Sequence, residues 1–189
     1  MFLGDPSLTS PDLTQEVKDF TQSISTIKKI KKGDVLIKEN QIVNKTYFVL
    51  EGCIRSYVFD SVGKEHTLQF ALKNDWISDY IAIFNNEKSS QTVECIADSI
   101  VAETSVSEGI ENIFLRFPKI ESIHRKNLER NIVSLQKRIL NQLQLTSLDR
   151  YKIFLKQFPE IEKYALNYHI ASYLGITQQS LSRIRASYK

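Results

Sequence analysis

From Ile30 to Ser105 the apolar residues fall in short runs, VLIK, TYFVL, CIRSYVF, HTLQF, WISDYIAIF, TVECIA and SIVAET. Gly33-Asp34, Glu51-Gly52, Asp60 to Gly63 and Asn85-Asn86 lie between them as turn sites. This many short strands predicts a small antiparallel barrel or jelly roll. After Phe117 the period lengthens. Ile120, Ile123, Leu128, Ile132, Leu135, Ile139 and Leu143 recur mostly at three- and four-residue intervals with charges between them, which predicts one long helix over Phe117 to Leu145. Such a helix outreaches the small barrel where it starts, so those seven residues are the expected dimer interface. A shorter amphipathic helix is predicted over residues 11 to 24, with Leu13, Val17, Phe20 and Ile24 on one side.

The C-terminal stretch shifts the reading toward nucleic acid. Thr146 and Asp149 have capping-box spacing ahead of LDRYKIFLKQF, a helix expected to stop before Pro159. In YHIASYLGITQQSLSRIRAS, Ile170, Ala171 and Leu174 share one helical face, Gly175-Ile176 forms a bend, and Leu181 and Ile184 line the next segment. This is helix-turn-helix spacing. Thr177 is the expected cap of the second helix, whose outward residues are Gln178, Gln179, Ser182, Arg183 and Arg185. Amides pair with adenine edges, Arg forks onto guanine, and hydroxyls and Arg also take phosphates. No Asp or Glu occurs between Asn167 and Lys189, so nothing in that stretch repels a phosphate backbone.

Composition supports this reading without requiring it. A net charge of +3 over 189 residues is mild, and the basic residues are concentrated only locally. Cys53 and Cys95 stand far apart, forming neither a disulfide framework nor a metal cluster, and are expected to be buried and inert in a reducing cytoplasm. No apolar run has membrane-spanning length, and the first residues lack a signal-peptide pattern. His66, His124 and His169 are too scattered for a cupin-type metal site, and no nucleophile elbow, phosphate-cradling glycine loop or paired catalytic carboxylates stand out, which argues against an enzyme. Trp76 reads as a packing anchor.

The order of these parts resembles the Crp/Fnr family of bacterial transcription regulators. The residues that carry the resemblance are KKGDVLIKENQ (31–41), YFVLEGCIRSY (47–57), GKEHTLQF (63–70), DWISDY (75–80) and HIASYLGITQQSLSRIR (169–185). The resemblance implies an α+β protein with an N-terminal antiparallel, jelly-roll-like β-roll and flanking helices (1–116), a long dimerisation helix (117–145) and a C-terminal helix-turn-helix (146–189). It implies double-stranded DNA as a partner, a homodimer, RNA polymerase as a further partner, and no membrane. Gln178, Gln179 and Arg183 match the family's base-reading positions, with Ser180, Ser182 and Arg185 nearer the DNA backbone, and Thr177 completes the expected DNA-binding set. The resemblance breaks in the effector pocket. Where cyclic-AMP binders carry Gly-Glu and Arg-Ser or Arg-Thr, this chain has Ser78-Asp79 and Ser89-Ser90, next to Tyr80 and Lys88. Asp79 is expected to be able to meet a ribose hydroxyl, but Ser89 cannot replace a guanidinium. Where the long helix of such members offers hydroxyls to the purine, this chain has Leu135-Gln136. Cyclic AMP is therefore not the expected effector, and no cofactor is assigned. The alternative is a small-ligand-binding β-roll whose C-terminal helices dock a protein partner.

Overall fold

A computed structural model describes residues 24–188. Eight strands form two four-stranded antiparallel sheets. The first has the order β1 (Ser25–Ile30), β8 (Ser99–Ser105), β3 (Lys45–Glu51), β6 (Trp76–Ile77); the second has β2 (Val35–Ile37), β7 (Thr92–Cys95), β4 (Ile54–Phe59), β5 (Glu65–Ala71). Between them lies a core of Ile37, Tyr47, Val49, Ile54, Ala71, Ile77, Val93, Cys95 and Val101. Six α-helices complete the described chain: α1 (Tyr80–Asn85), α2 (Ile110–Arg116), α3 (Pro118–Gln144), α4 (Ser147–Gln157), α5 (Asn167–Leu174) and α6 (Gln178–Tyr188). The helix expected over residues 11 to 24 falls almost entirely outside the described residues.

The turn between β3 and β4 requires glycine. Gly52 has φ +94°, and a Cβ there would sit 2.6 Å from the Asp98 carbonyl oxygen and 2.7 Å from the Ser99 Cα. WISDYIAIF is only partly a strand, which corrects the expectation from its apolar run. Trp76-Ile77 pair with β3, and the chain then turns into α1 because the Asp79 carboxylate caps the Ala82 amide and Asn86 closes the helix at φ 55°. Trp76 is buried against Phe48, ring centroids 5.0 Å apart. Both cysteines are buried, and burial pushes each thiol up to about 12.

Strand β5 is an edge with an irregularity. Its pairing with β4 runs Ser56↔Gln69 and then Tyr57↔Thr67, passing over Leu68. Leu68 is thus a bulge residue, released from the regular ladder.

Along α3 the apolar seam divides. Ile120 is buried, and Ile123 packs on the same cluster of Phe48, Trp76, Ala102, Val106 and Ile113 from its own chain. These two expected interface residues belong to the chain's own core, because the first turns of α3 lie against the β-roll. Leu128 is half-buried. Farther on, Ile132, Leu135, Ile139 (58% exposed) and Leu143 (78% exposed) face outward with Val133 and Leu140. The exposed apolar surface is wider than the predicted stripe.

A second core joins the β-roll to the C-terminal helices. Cys53, Phe70 and Ile96 of the β-roll pack with Tyr151, Phe154, Phe158, Ile161, Ile170, Tyr173, Leu174 and Leu181. Phe70 lies 5.3 Å from Tyr173 and 6.0 to 6.1 Å from Phe154 and Phe158, centroid to centroid. Aromatic rings in tilted and edge-on contact add packing energy beyond their buried area.

Candidate nucleic-acid interface

Local chemistry builds the two short helices. The Thr146 hydroxyl accepts from the Asp149 amide at 3.2 Å and starts α4, which ends before Pro159. Helix α5 closes at Gly175 (φ 68°, ψ 36°), where the Ile176 amide returns to the Ala171 carbonyl at 2.9 Å and the Gly175 amide to Ser172 at 3.1 Å. That pattern needs a left-handed residue, which glycine adopts without Cβ strain. Thr177 then caps α6 by accepting the Ser180 amide at 3.1 Å, and its hydroxyl meets that of Ser180 at 3.0 Å. Buried Ala171 and Leu181 bring α5 and α6 together.

Anchored by Leu181, α6 turns Gln178, Gln179, Ser182 and Arg183 into solvent. Arg183 makes no hydrogen bond or ion pair among the described residues, so its guanidinium donors are free for a ligand. Ser180 and Thr177 are partly engaged with each other in the cap. Arg185 is the exception among the expected contact residues. Its Nε donates to the Tyr151 hydroxyl at 3.1 Å, one terminal nitrogen donates to Glu162 at 2.6 Å, and the other reaches the Asn167 side-chain oxygen. Tyr151 in turn donates to Glu162 at 2.7 Å. The guanidinium expected on a phosphate instead ties α6 to α4 and the start of α5, because a carboxylate, an amide oxygen and a phenol converge on it.

His169 is buried at the start of α5, where its Nδ1 accepts the Leu166 amide at 3.2 Å. That bond requires an unprotonated Nδ1. Burial, reinforced by the positive charges of Arg55 and Lys32, drives its pKa down to about 3. His124 is also buried, beside Trp76, Tyr80 and Phe114, and burial lowers its pKa. His66 pairs with Asp60 at 2.8 Å on the β4–β5 hairpin.

The effector-pocket residues form a self-satisfied cluster. Asp79 is fully buried and accepts from the Ala82 amide at 3.1 Å, the Ser89 hydroxyl at 2.8 Å, the Ser90 amide at 3.0 Å and the Ser90 hydroxyl at 3.4 Å. Burial pushes its pKa up, but hydrogen bonds from Ala82, Ser89, Ser90 and Gln91 together outweigh it and hold the carboxyl below the usual range. Ser78 is buried and donates to the Lys45 carbonyl at 2.8 Å. Tyr80 stacks on Phe84 with its hydroxyl buried and, among the described residues, unpartnered. Lys88 contributes only a backbone bridge to Ile42, and Leu135 and Gln136 are exposed on α3 with no hydrogen bond to this cluster. Asp79 is therefore turned inward, contrary to the expectation that it could meet a ribose hydroxyl. The donors a cyclic phosphate would need are occupied by a carboxylate, and no guanidinium stands among them, so these residues do not fit that ligand.

Residues missed in the sequence reading lie where the parts meet. Arg55, 1% exposed, is ion-paired with Glu94 at 2.5 Å and Glu65 at 2.6 Å and stacks over Tyr57. Arg138 of α3 and Ser172 of α5 bond to the edge of β5. Helical periodicity places both as polar surface positions, so no local signal marks them.

Comparison with known proteins agrees with this architecture. The cyclic nucleotide-binding domain family matches residues 27–112. An anaerobic regulatory protein of Pasteurella multocida is 23% identical over 181 residues, covering 90% of this chain, and the chain spans 65% of that protein's length. The Pycsar effector protein BcPycTIR of Burkholderia cepacia is 28% identical over 141 residues, 75% of this chain and 41% of its own length. Among solved structures, the c-di-GMP responsive global regulator CLP of Xanthomonas campestris superposes with TM-score 0.73 at 12% identity, covering 93% of this chain and 91% of its own. A putative Crp/Fnr-family transcriptional regulator of Eubacterium rectale gives TM-score 0.68 at 17% identity, covering 93% and 82%. The chain thus joins a cyclic-nucleotide-binding-type β-roll to a C-terminal helix-turn-helix. Its fold is similar to that of the Crp/Fnr-family regulator of Eubacterium rectale.

Proposed function

We propose that this chain is a homodimeric, cytoplasmic transcription regulator that reads an inverted-repeat operator through α6. The observation that carries the proposal is the set of exposed donors and acceptors on that helix, Gln178, Gln179, Ser182 and Arg183, held outward by buried Leu181 with no acidic residue on α5 or α6. Those groups match base edges and phosphates. The exposed apolar surface of α3 supports pairing of two copies, with Leu128, Ile132, Leu135, Ile139 and Leu143 at the seam. The proposed units are the β-roll to residue 116, the long helix of 117–145 and the DNA-binding unit of 146–189. Cyclic AMP is not the expected effector, since the Asp79 carboxylate takes the Ser89 and Ser90 donors that its phosphate would need. RNA polymerase is the further partner that such a regulator would meet.

Selection from random duplexes tests this reading. A symmetric site is expected, with binding that weakens linearly in log affinity against log salt as phosphate contacts release counterions. Binding of a protein partner with no such slope on DNA would instead favour a docking module.

A further inference from the structure

We propose that Ser172 and Arg138 are positioning residues for DNA reading: they latch the helix-turn-helix onto the open edge of the β-roll and so set the separation of the two recognition helices in the dimer. The inference rests on the DNA-reading function proposed above.

An edge strand presents unpaired amides and carbonyls on its outer side, and β5 is the last strand of its sheet. Ser172 continues the ladder. Its hydroxyl accepts the Thr67 amide at 2.8 Å and donates to the Glu65 carbonyl at 2.9 Å, as the next strand would. Arg138 takes the carbonyls that remain, donating to Leu68 at 2.7 Å and Thr67 at 3.0 Å. The Leu68 carbonyl is available because Leu68 is passed over in the β4–β5 register. The same guanidinium donates to the Tyr173 carbonyl at 2.9 Å and lies 4.0 Å from the Tyr173 ring centroid. One side chain of the long helix thereby grips both the β-roll and the last turn of α5.

The bonds are specific in kind. A hydroxyl that must both accept and donate, and a planar fork spanning three carbonyls, hold orientation more tightly than the apolar packing of Phe70 on Tyr173. Since α6 is fixed to α5 through Gly175 and Leu181, orienting α5 on β5 orients the recognition helix relative to α3. In a dimer paired along α3, that orientation determines the spacing between half-sites.

The test compares full-length wild type, Ser172→Ala/Arg138→Met and Arg138→Lys on the selected operator and on the same operator with one base pair inserted between half-sites. Wild type should lose at least about tenfold in affinity on the insertion. The double variant should discriminate far less between the two sites, and Arg138→Lys should fall between. Val49→Ala, a cavity in the β-roll core away from the latch, lowers stability but should keep the wild-type ratio. Hydrogen exchange at the Thr67 amide should quicken in the double variant. Undiminished spacing discrimination in the double variant, or unchanged protection at Thr67, overturns the latch alone. A wild type that binds no symmetric duplex removes the DNA-reading function itself, and the positioning role with it.

Discussion

The Asp79 carboxylate accepts the Ser89 hydroxyl at 2.8 Å, deep inside the segment that would face an effector. A charged oxygen of the chain thus takes up donors that a bound anion would use. Asp79→Ala leaves the Ala82 and Ser90 amides without their acceptor, at about 1 to 3 kcal/mol for each buried donor left unpaired. Urea unfolding should show a clear loss of stability, smaller in Asp79→Asn, which keeps one acceptor oxygen. Because the folded pKa is depressed, this contribution is present at neutral pH and is lost as pH falls below the ordinary carboxylate value of about 4. Equal midpoints for wild type and Asp79→Ala at pH 7 would show that the cluster holds nothing together.

The same cluster predicts the response to cyclic AMP. Calorimetry should detect no binding tighter than about 100 μM, since the missing charge-assisted phosphate contact alone removes roughly 1.5 to 3 kcal/mol. A low-micromolar dissociation constant would mean that the segment rearranges to free its donors.

The proposed pairing of two copies rests on the outward residues of α3. Glu at both Leu135 and Ile139, each more than half exposed in the single chain, would place like charges at the dimer seam and should yield a folded monomer. Ile120→Glu should instead unfold the chain, because Ile120 lies in its own core. Sedimentation and circular dichroism separate the two effects. A wild type that sediments as a monomer at micromolar concentration would remove α3 as an interface.

The two arginines of α6 should differ in kind. Arg183→Ala is expected to cost about 1 to 3 kcal/mol on the specific site and to relax preference at one base pair. Arg185→Ala breaks the network with Tyr151, Glu162 and Asn167, so it should lower thermal stability while leaving the salt slope of DNA binding unchanged. A shallower slope in Arg185→Ala would return that residue to the phosphate backbone.

Acid sensitivity should trace to His169. Its folded pKa of about 3 lies far below the unfolded value of 6.5, so between those limits the unfolded chain takes up a proton that the folded chain does not. Stability from this source is unaffected above pH 6.5 and declines as pH falls toward 3, by up to about 1.4 kcal/mol per pH unit. His169→Gln should flatten that part of the stability curve; an unchanged slope would assign it to other groups.

Sequence alone determined the elements whose reasons are local. Alternating apolar runs with turn residues between them define the β-roll, three- and four-residue spacing defines α3, and Thr146, Gly175 and Thr177 mark the ends of helices through backbone groups only a few residues away. The exposed polar positions of α6 were legible for the same reason, since helical periodicity separates Gln178, Gln179 and Arg183 from Leu181. Tertiary structure decided what depends on partners distant in the chain. Ile120 and Leu135 look alike in the seam, yet one meets the β-roll and the other solvent. Arg183 and Arg185 look alike on the polar surface of α6, yet only Arg185 finds Glu162 and Asn167 beside it. Ser172 and Arg138 carry no mark in their own segments, because their hydrogen-bonding partners are the unpaired backbone groups of β5, made available by the strand order and by the bulge at Leu68.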